Sequence, residues 1–186
     1  MSNVSRLVRY HAPSDLEVRS DRRTVHGLVV PFGEVADIHE YGRTYRERFV
    51  RGAFERTIRE RGERTKLLTS HDGHNRLPIG RAVELREDAA GLFGAFRVSQ
   101  TQTGDEVLEL VRDGALDSFS IGFRPVRERS AHDPSGPVVE RTEVALREVS
   151  VVTFPAYAGA QIAGVRAEPF LTADEARRRV AVARMR

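Results

Sequence analysis

Residues 79–98 read Ile79-Gly80-Arg81-Ala82-Val83-Glu84-Leu85, Arg86-Glu87, Asp88-Ala89-Ala90-Gly91, then Leu92-Phe93-Gly94-Ala95-Phe96-Arg97-Val98. Two arms rich in β-formers flank a polar turn ending in glycine. That is the pattern of an antiparallel hairpin, and it sets a β-rich reading of the chain. Upstream, Lys66-Leu67-Leu68-Thr69-Ser70-His71 reads as a short strand running into the Asp72-Gly73 turn. Thr24–Val30 reads as a strand stopped at Pro31, and residues 32–45 as a loop. Phe54 and Ile58, four apart, share one face of a short helix.

Downstream, Thr103-Gly104-Asp105-Glu106 has capping-box spacing. The helix it opens carries Val107, Leu110 and Val111 on one face and ends at Gly114, a residue suited to a left-handed cap. Ser118–Val126 reads as a strand. Residues 127–137, with two prolines, a glycine and several charges, read as an exposed loop. Val138–Phe154 reads as one long strand or two in succession, broken by Pro155–Ala160. Thr172-Ala173-Asp174-Glu175 repeats the capping pattern and opens an Arg-rich helix. The sum is a β-rich α+β domain of about seven strands and two or three helices. Residues 1–23 form a flexible N-terminal arm, 24–165 the folded domain and 166–186 a charged tail.

Composition narrows the chemistry. The 186 residues include no cysteine, which excludes disulfide scaffolds, thiol catalysis, Cys-ligated zinc and iron–sulfur clusters. No stretch approaches the roughly 20 apolar residues of a membrane helix, and the start lacks the apolar run of a secretory signal. Of the 30 Lys and Arg only Lys66 is lysine, and 27 Asp and Glu are interleaved with them, leaving a net charge of +3. With 4 Tyr and no Trp, this reads as a solvated mixed-charge surface and not a specific nucleic-acid face.

Three residues stand out. His71 lies where an apolar strand meets a turn, a place where a rigid scaffold can present a functional group. In Ser118-Phe119-Ser120-Ile121-Gly122-Phe123, alternation puts Phe119, Ile121 and Phe123 on one face and Ser118, Ser120 and Gly122 on the other. A substrate backbone could approach that small-residue face. In Val144–Val152, simple alternation places Glu148 with Val144, Leu146, Ser150 and Val152. A carboxylate there is costly unless paired, either with a histidine or with one of the many arginines. A serine needs a base within reach, histidine supplies one near neutral pH, and a carboxylate fixes the histidine tautomer. The three residues alone leave open an ordinary turn histidine, a polar strand face and a structural ion pair.

Four segments together resemble the prohead protease family of tailed bacteriophages, relatives of the herpesvirus capsid-assembly proteases. They are Val29-Val30-Pro31-Phe32, Phe49-Val50-Arg51-Gly52-Ala53-Phe54 and Leu67 to Gly80 with its His-Asp and Leu-Pro-Ile-Gly. The last runs from Leu110–Leu116 through Ser120-Ile121-Gly122-Phe123 to Glu148–Ala156. The resemblance covers roughly residues 24–165. It implies a distorted β-barrel of about seven strands flanked by helices, with 24–165 as a serine protease domain.

The implied activity is that of a serine endopeptidase cleaving scaffold protein, or the scaffold segment of the major capsid protein, and itself during prohead maturation. The family's histidine falls on His71 and its serine on Ser120. Herpesvirus enzymes use a second histidine as third member and phage members an acid, which places Glu148 there. Ser118 stands where the family often has glycine and is a competing nucleophile. The partners implied are the major capsid protein and the scaffold protein. The herpesvirus relatives act as dimers, so a homodimer or higher oligomer is admitted. The place of action is the host bacterial cytoplasm, inside the assembling procapsid. No cofactor or metal is implied. The turn Pro155–Ala160 is a candidate source of oxyanion N–H donors.

Two rivals stay open. His71, Asp72 and His74 could ligate a catalytic metal, although their spacing lacks a helix-borne motif. The chain could instead be a non-enzymatic capsid or scaffold component that keeps the protease fold.

Overall fold

In the computed structural model, which describes residues 23–40, 42–71 and 77–166, the chain forms β1 (Thr24–Pro31), β2 (Ala36–Glu40), β3 (Arg43–Phe49), α1 (Glu55–Arg61), a 3-10 turn (Gly62–Arg64) and β4 (Lys66–Thr69). There follow β5 (Gly80–Glu87), β6 (Gly91–Val98), α2 (Gln102–Arg112), β7 (Ser118–Asp133), β8 (Gly136–Val152) and β9 (Gln161–Arg166). Among the described residues, no helix is long and apolar enough to cross a membrane.

Seven strands close a ring in the order β8-β4-β5-β6-β1-β9-β7, with β7 returning to β8. Only β4 and β8 are parallel within it, so the barrel is mixed. The closure between β7 and β9 is a single pair, Ser118 with Gln161, supported by hydrogen bonds from Phe119 N–H to Ala160 and from Ile162 N–H to Asp117. The expected barrel of about seven strands flanked by helices is what the chain forms. The two further strands lie outside the ring: β2 pairs antiparallel with β3, and β3 pairs in parallel with the first half of β8.

Alternation fills the barrel. Leu67, Ala82, Phe96, Phe119, Ile121, Val149 and Val151 all lie in one buried cluster. Burying each such Leu, Val or Phe side chain contributes about 1.5–3 kcal/mol. α2 adds Val107, Leu108 and Val111 to the cluster.

Three local readings differ from the sequence expectation. Within 32–45, residues 36–40 and 43–45 are strand and not loop. Ile38, Glu47 and Phe49 alternate inward along the β2–β3 hairpin. Its charged positions are neutralised across strands, as in the hydrogen bond from Arg141 Nε to Glu47 Oε2 at 2.7 Å. Residues 127–137 are likewise not a loop. β7 and β8 run on past the barrel as an arm joined by the turn Pro134-Ser135, with β3 paired along the other edge of β8. Pro125 is tolerated because β7 pairs there with β8 alone. Charge on the arm is met by Arg46–Asp133 at 2.5 Å, Arg48–Glu140 at 2.6 Å and an Arg129–Glu140 pair.

Finally, α2 is capped by Thr101, whose Oγ1 accepts from Gly104 N–H at 3.1 Å. The helix therefore starts two residues earlier than the Thr103 box implied. Its end agrees: Gly114 takes φ +78°, a left-handed geometry that favours glycine. The arm 1–23 up to residue 22, and the tail from residue 167 with its Thr172 cap, lie outside the described residues.

Candidate active site

The site is built on three neighbouring strands, on the face of the sheet turned away from the core. Ser120 of β7 pairs directly with Ser150 of β8, and Gly122 with Glu148. Their chain neighbours Phe119, Ile121, Val149 and Val151 point into the barrel. β4 runs parallel to β8, with Leu68 beside Ser150. It then breaks into a turn in which Ser70 and His71 take φ of +50° and +60°. Left-handed geometry costs a non-glycine residue about 1–2 kcal/mol. Two hydrogen bonds hold it: Ser70 N–H to the Val151 carbonyl at 3.2 Å and His71 N–H to Ser150 Oγ at 3.0 Å. The curl returns the imidazole over β8 and β7.

There the three sequence-predicted residues meet. His71 Nδ1 lies 2.6 Å from Glu148 Oε1, and His71 Nε2 lies 2.8 Å from Ser120 Oγ. An ionised carboxylate only accepts, so Nδ1 carries the proton and donates to Glu148. Nε2 then holds a lone pair and accepts from the Ser120 hydroxyl. The side chains of His71 and Glu148 are 10% and 13% exposed, which limits screening of the pair while leaving the site reachable. Chemically, the arrangement can take a proton from Ser120 and hold the resulting imidazolium against a carboxylate.

Ser118 is excluded from this chain of hydrogen bonds. It is buried, and its hydroxyl donates to Asp117 Oδ1 at 2.6 Å. Both ring nitrogens of His71 are engaged with Glu148 and Ser120. Asp72 and His74 lie outside the described residues. Among the described residues, no group of three His, Cys, Asp or Glu side chains could hold a metal ion.

The face expected for Glu148 needs correction. Arg147 is an extra residue in β8, because Gly122 pairs with Glu148 but Phe123 pairs with Leu146. This bulge reverses the alternation. Val144 and Leu146 point into the core, as do Val149 and Val151, while Glu148 and Ser150 share the opposite face with Ser120. The carboxylate therefore stands on the small-residue face and not among the valines.

The oxyanion expectation for Pro155–Ala160 also changes. The N–H groups of Ala158 and Gly159 donate to the Glu34 carboxylate, the latter at 3.1 Å, and Ala160 N–H donates to the Tyr157 carbonyl. These three donors already have partners. The segment is pinned further by Tyr157, whose hydroxyl donates to Glu47 Oε1 at 3.0 Å. Burial, and then the Glu47 carboxylate, push that hydroxyl well above its ordinary range, so it stays a donor.

Sequence reasoning missed Ser150 and the purpose of Gly122. Ser150 is fully buried, donates to Glu148 Oε2 at 2.8 Å and accepts from His71 N–H. Its signal was its position, two residues from Glu148 on one strand face. Gly122 leaves room for Glu148: a β-carbon there would collide with the Oε1 and carboxyl carbon of the Glu148 side chain.

Residues 14–174 match the family model described as caudovirus prohead serine protease. The chain is similar to the prohead protease of Enterobacteria phage HK97, with 28% identity over 116 residues. The aligned part covers 62% of this chain and 51% of that relative, so the chain spans about half the relative's length.

Proposed function

Because the chain belongs to the caudovirus prohead serine protease family, we propose that it is a serine endopeptidase whose catalytic residues are Ser120, His71 and Glu148. Its substrates are the scaffold protein or the scaffold segment of the major capsid protein, and the chain itself. It acts inside the assembling procapsid in the host bacterial cytoplasm. One observation carries the reading: the unbroken chain of hydrogen bonds Glu148–His71–Ser120 at 2.6 and 2.8 Å. The similarity to the HK97 prohead protease supports the choice of substrate.

Ser120 Oγ attacks a peptide carbonyl carbon while His71 Nε2 takes the hydroxyl proton. The new C–O bond yields a tetrahedral oxyanion, and Glu148 stabilises the imidazolium. Collapse breaks the C–N bond, and His71 returns the proton to the leaving amine. Water, deprotonated by His71, then hydrolyses the acyl-serine and regenerates Ser120. Ser150 acts as a positioning residue, tying the His71 backbone to the Glu148 carboxylate.

The test is co-expression with the cognate major capsid protein, read by intact masses of both, with Ser120→Ala as control. Shortening that depends on Ser120 supports the reading. Intact proteins in both samples, with assembled particles present, would sink it in favour of a non-enzymatic capsid component.

A further inference from the structure

The strand register runs a row of side chains outward from Glu148. Glu148 on β8 pairs with Lys66 on β4, Lys66 with Arg81 on β5, and Arg81 with Arg97 on β6. Directly paired residues point to the same face of a sheet. The chain neighbours of the row, Leu67, Ala82, Phe96 and Val149, are core residues, so the row lies on the outer face that carries the site. Lys66 and Arg81 are exposed and Arg97 is half-buried. Among the described residues none of the three forms an ion pair, and Arg81 donates only to the Ala82 carbonyl at 3.3 Å. The row stops at Thr24 of β1, which is buried.

Like charges directly opposite one another destabilise a sheet. Three in succession, without counter-ions, fit an anionic ligand better than they serve the fold. We infer that Lys66, Arg81 and Arg97 form a docking track for an acidic stretch of the substrate polypeptide, beside the bond to be cut. This rests on the peptidase reading above and adds a substrate feature to it. Strands are spaced about 4.8 Å apart, so the three cations span roughly 10 Å and lie roughly 5–15 Å from Glu148. An extended peptide rises about 3.3 Å per residue, so the track meets carboxylates within about six residues of the cut, on one side of it. A polypeptide fits better than a nucleic acid. No aromatic residue stands two positions before or after Lys66, Arg81 or Arg97, so the track offers bases no stacking platform.

The test uses the full chain carrying Ser120→Ala and a fluorescein-labelled oligoglutamate peptide, with uncharged oligoglutamine of matched length and oligothymidylate of matched charge as comparators. The triple variant Lys66→Gln, Arg81→Gln, Arg97→Gln is compared with a charge-matched control, Arg43→Gln, Arg51→Gln, Arg59→Gln, at exposed positions off the row. The row variant is expected to weaken oligoglutamate binding at least about tenfold, and about 0.5 M salt to abolish it. Its urea midpoint should not fall, because like-charge contacts are removed. Equal loss in both variants, or tighter binding of oligothymidylate than of oligoglutamate, overturns the track. Ser120-intact protein is then given peptides with acidic or neutral flanks. Indifference to flank charge overturns the track and leaves the peptidase standing. Row-dependent binding without any cleavage keeps the track and removes the peptidase reading.

Discussion

Glu148 lays its carboxylate across the α-carbon of Gly122, in space that any β-carbon at position 122 would fill. Gly122 and Glu148 are paired on adjacent strands, so neither backbone can yield easily. The clash would fall on the carboxylate that holds His71. Gly122→Ala should therefore lower kcat/KM by about 100-fold or more. The core beneath the pair is untouched, so the urea midpoint should move much less than the activity. Steady-state kinetics and urea titration on the same preparation check this.

Ser150 joins the His71 backbone to the Glu148 carboxylate. Ser150→Ala leaves a buried N–H without its acceptor in a left-handed turn, at a cost of about 1–3 kcal/mol in stability. Activity should fall about tenfold or more, since both partners of Ser120 lose a restraint. Ser150→Thr keeps the hydroxyl and should recover part of the loss. Equal kinetics for the Ala and Thr variants would argue against positioning through that hydroxyl.

Glu148→Gln keeps shape but not charge. The amide can present N–H to Nδ1 and hold the ring in the tautomer that cannot accept from Ser120. The imidazolium also loses its counter-charge. A loss of about 100-fold or more is expected, smaller than that of Ser120→Ala. Single-turnover cleavage, which isolates the acylation step, is the measurement.

Glu140 links stability to acid. Hydrogen bonding to Arg129, and then to Arg48, holds its carboxyl below the ordinary value of 4.5 against the opposing effect of burial. The folded state thus favours the ionised form. Its contribution is fully present above about pH 4.5 and is lost as pH falls through the lower folded value. Glu140→Gln should cost about 1–2 kcal/mol at pH 7 and less at pH 3. Urea midpoints of both proteins at the two pH values decide it.

Much of this architecture was legible in the chain. The 79–98 hairpin stands out because a tight polar turn separates two apolar arms, and Gly114 marks the end of α2. Ser120, His71 and Glu148 were nameable from their settings and the family wording. What the sequence concealed depends on long-range pairing. Residues 32–45 and 127–137 look like loops because their charges, such as Glu34 and Asp133, are satisfied by partners far along the chain. The bulge at Arg147 has no local mark, yet it decides which face Glu148 occupies. The left-handed turn at Ser70 and His71 contains no glycine to announce it. The basic row exists only once the register of four strands is known.

The central claim is that His71 activates Ser120 and not Ser118. The most direct measurement treats the intact protein with a fluorophosphonate and locates the adduct by mass spectrometry. One phosphonyl group on Ser120, absent after His71→Ala and undiminished after Ser118→Ala, is the predicted result. An adduct on Ser118, or labelling of Ser120 that survives loss of His71, would contradict the account.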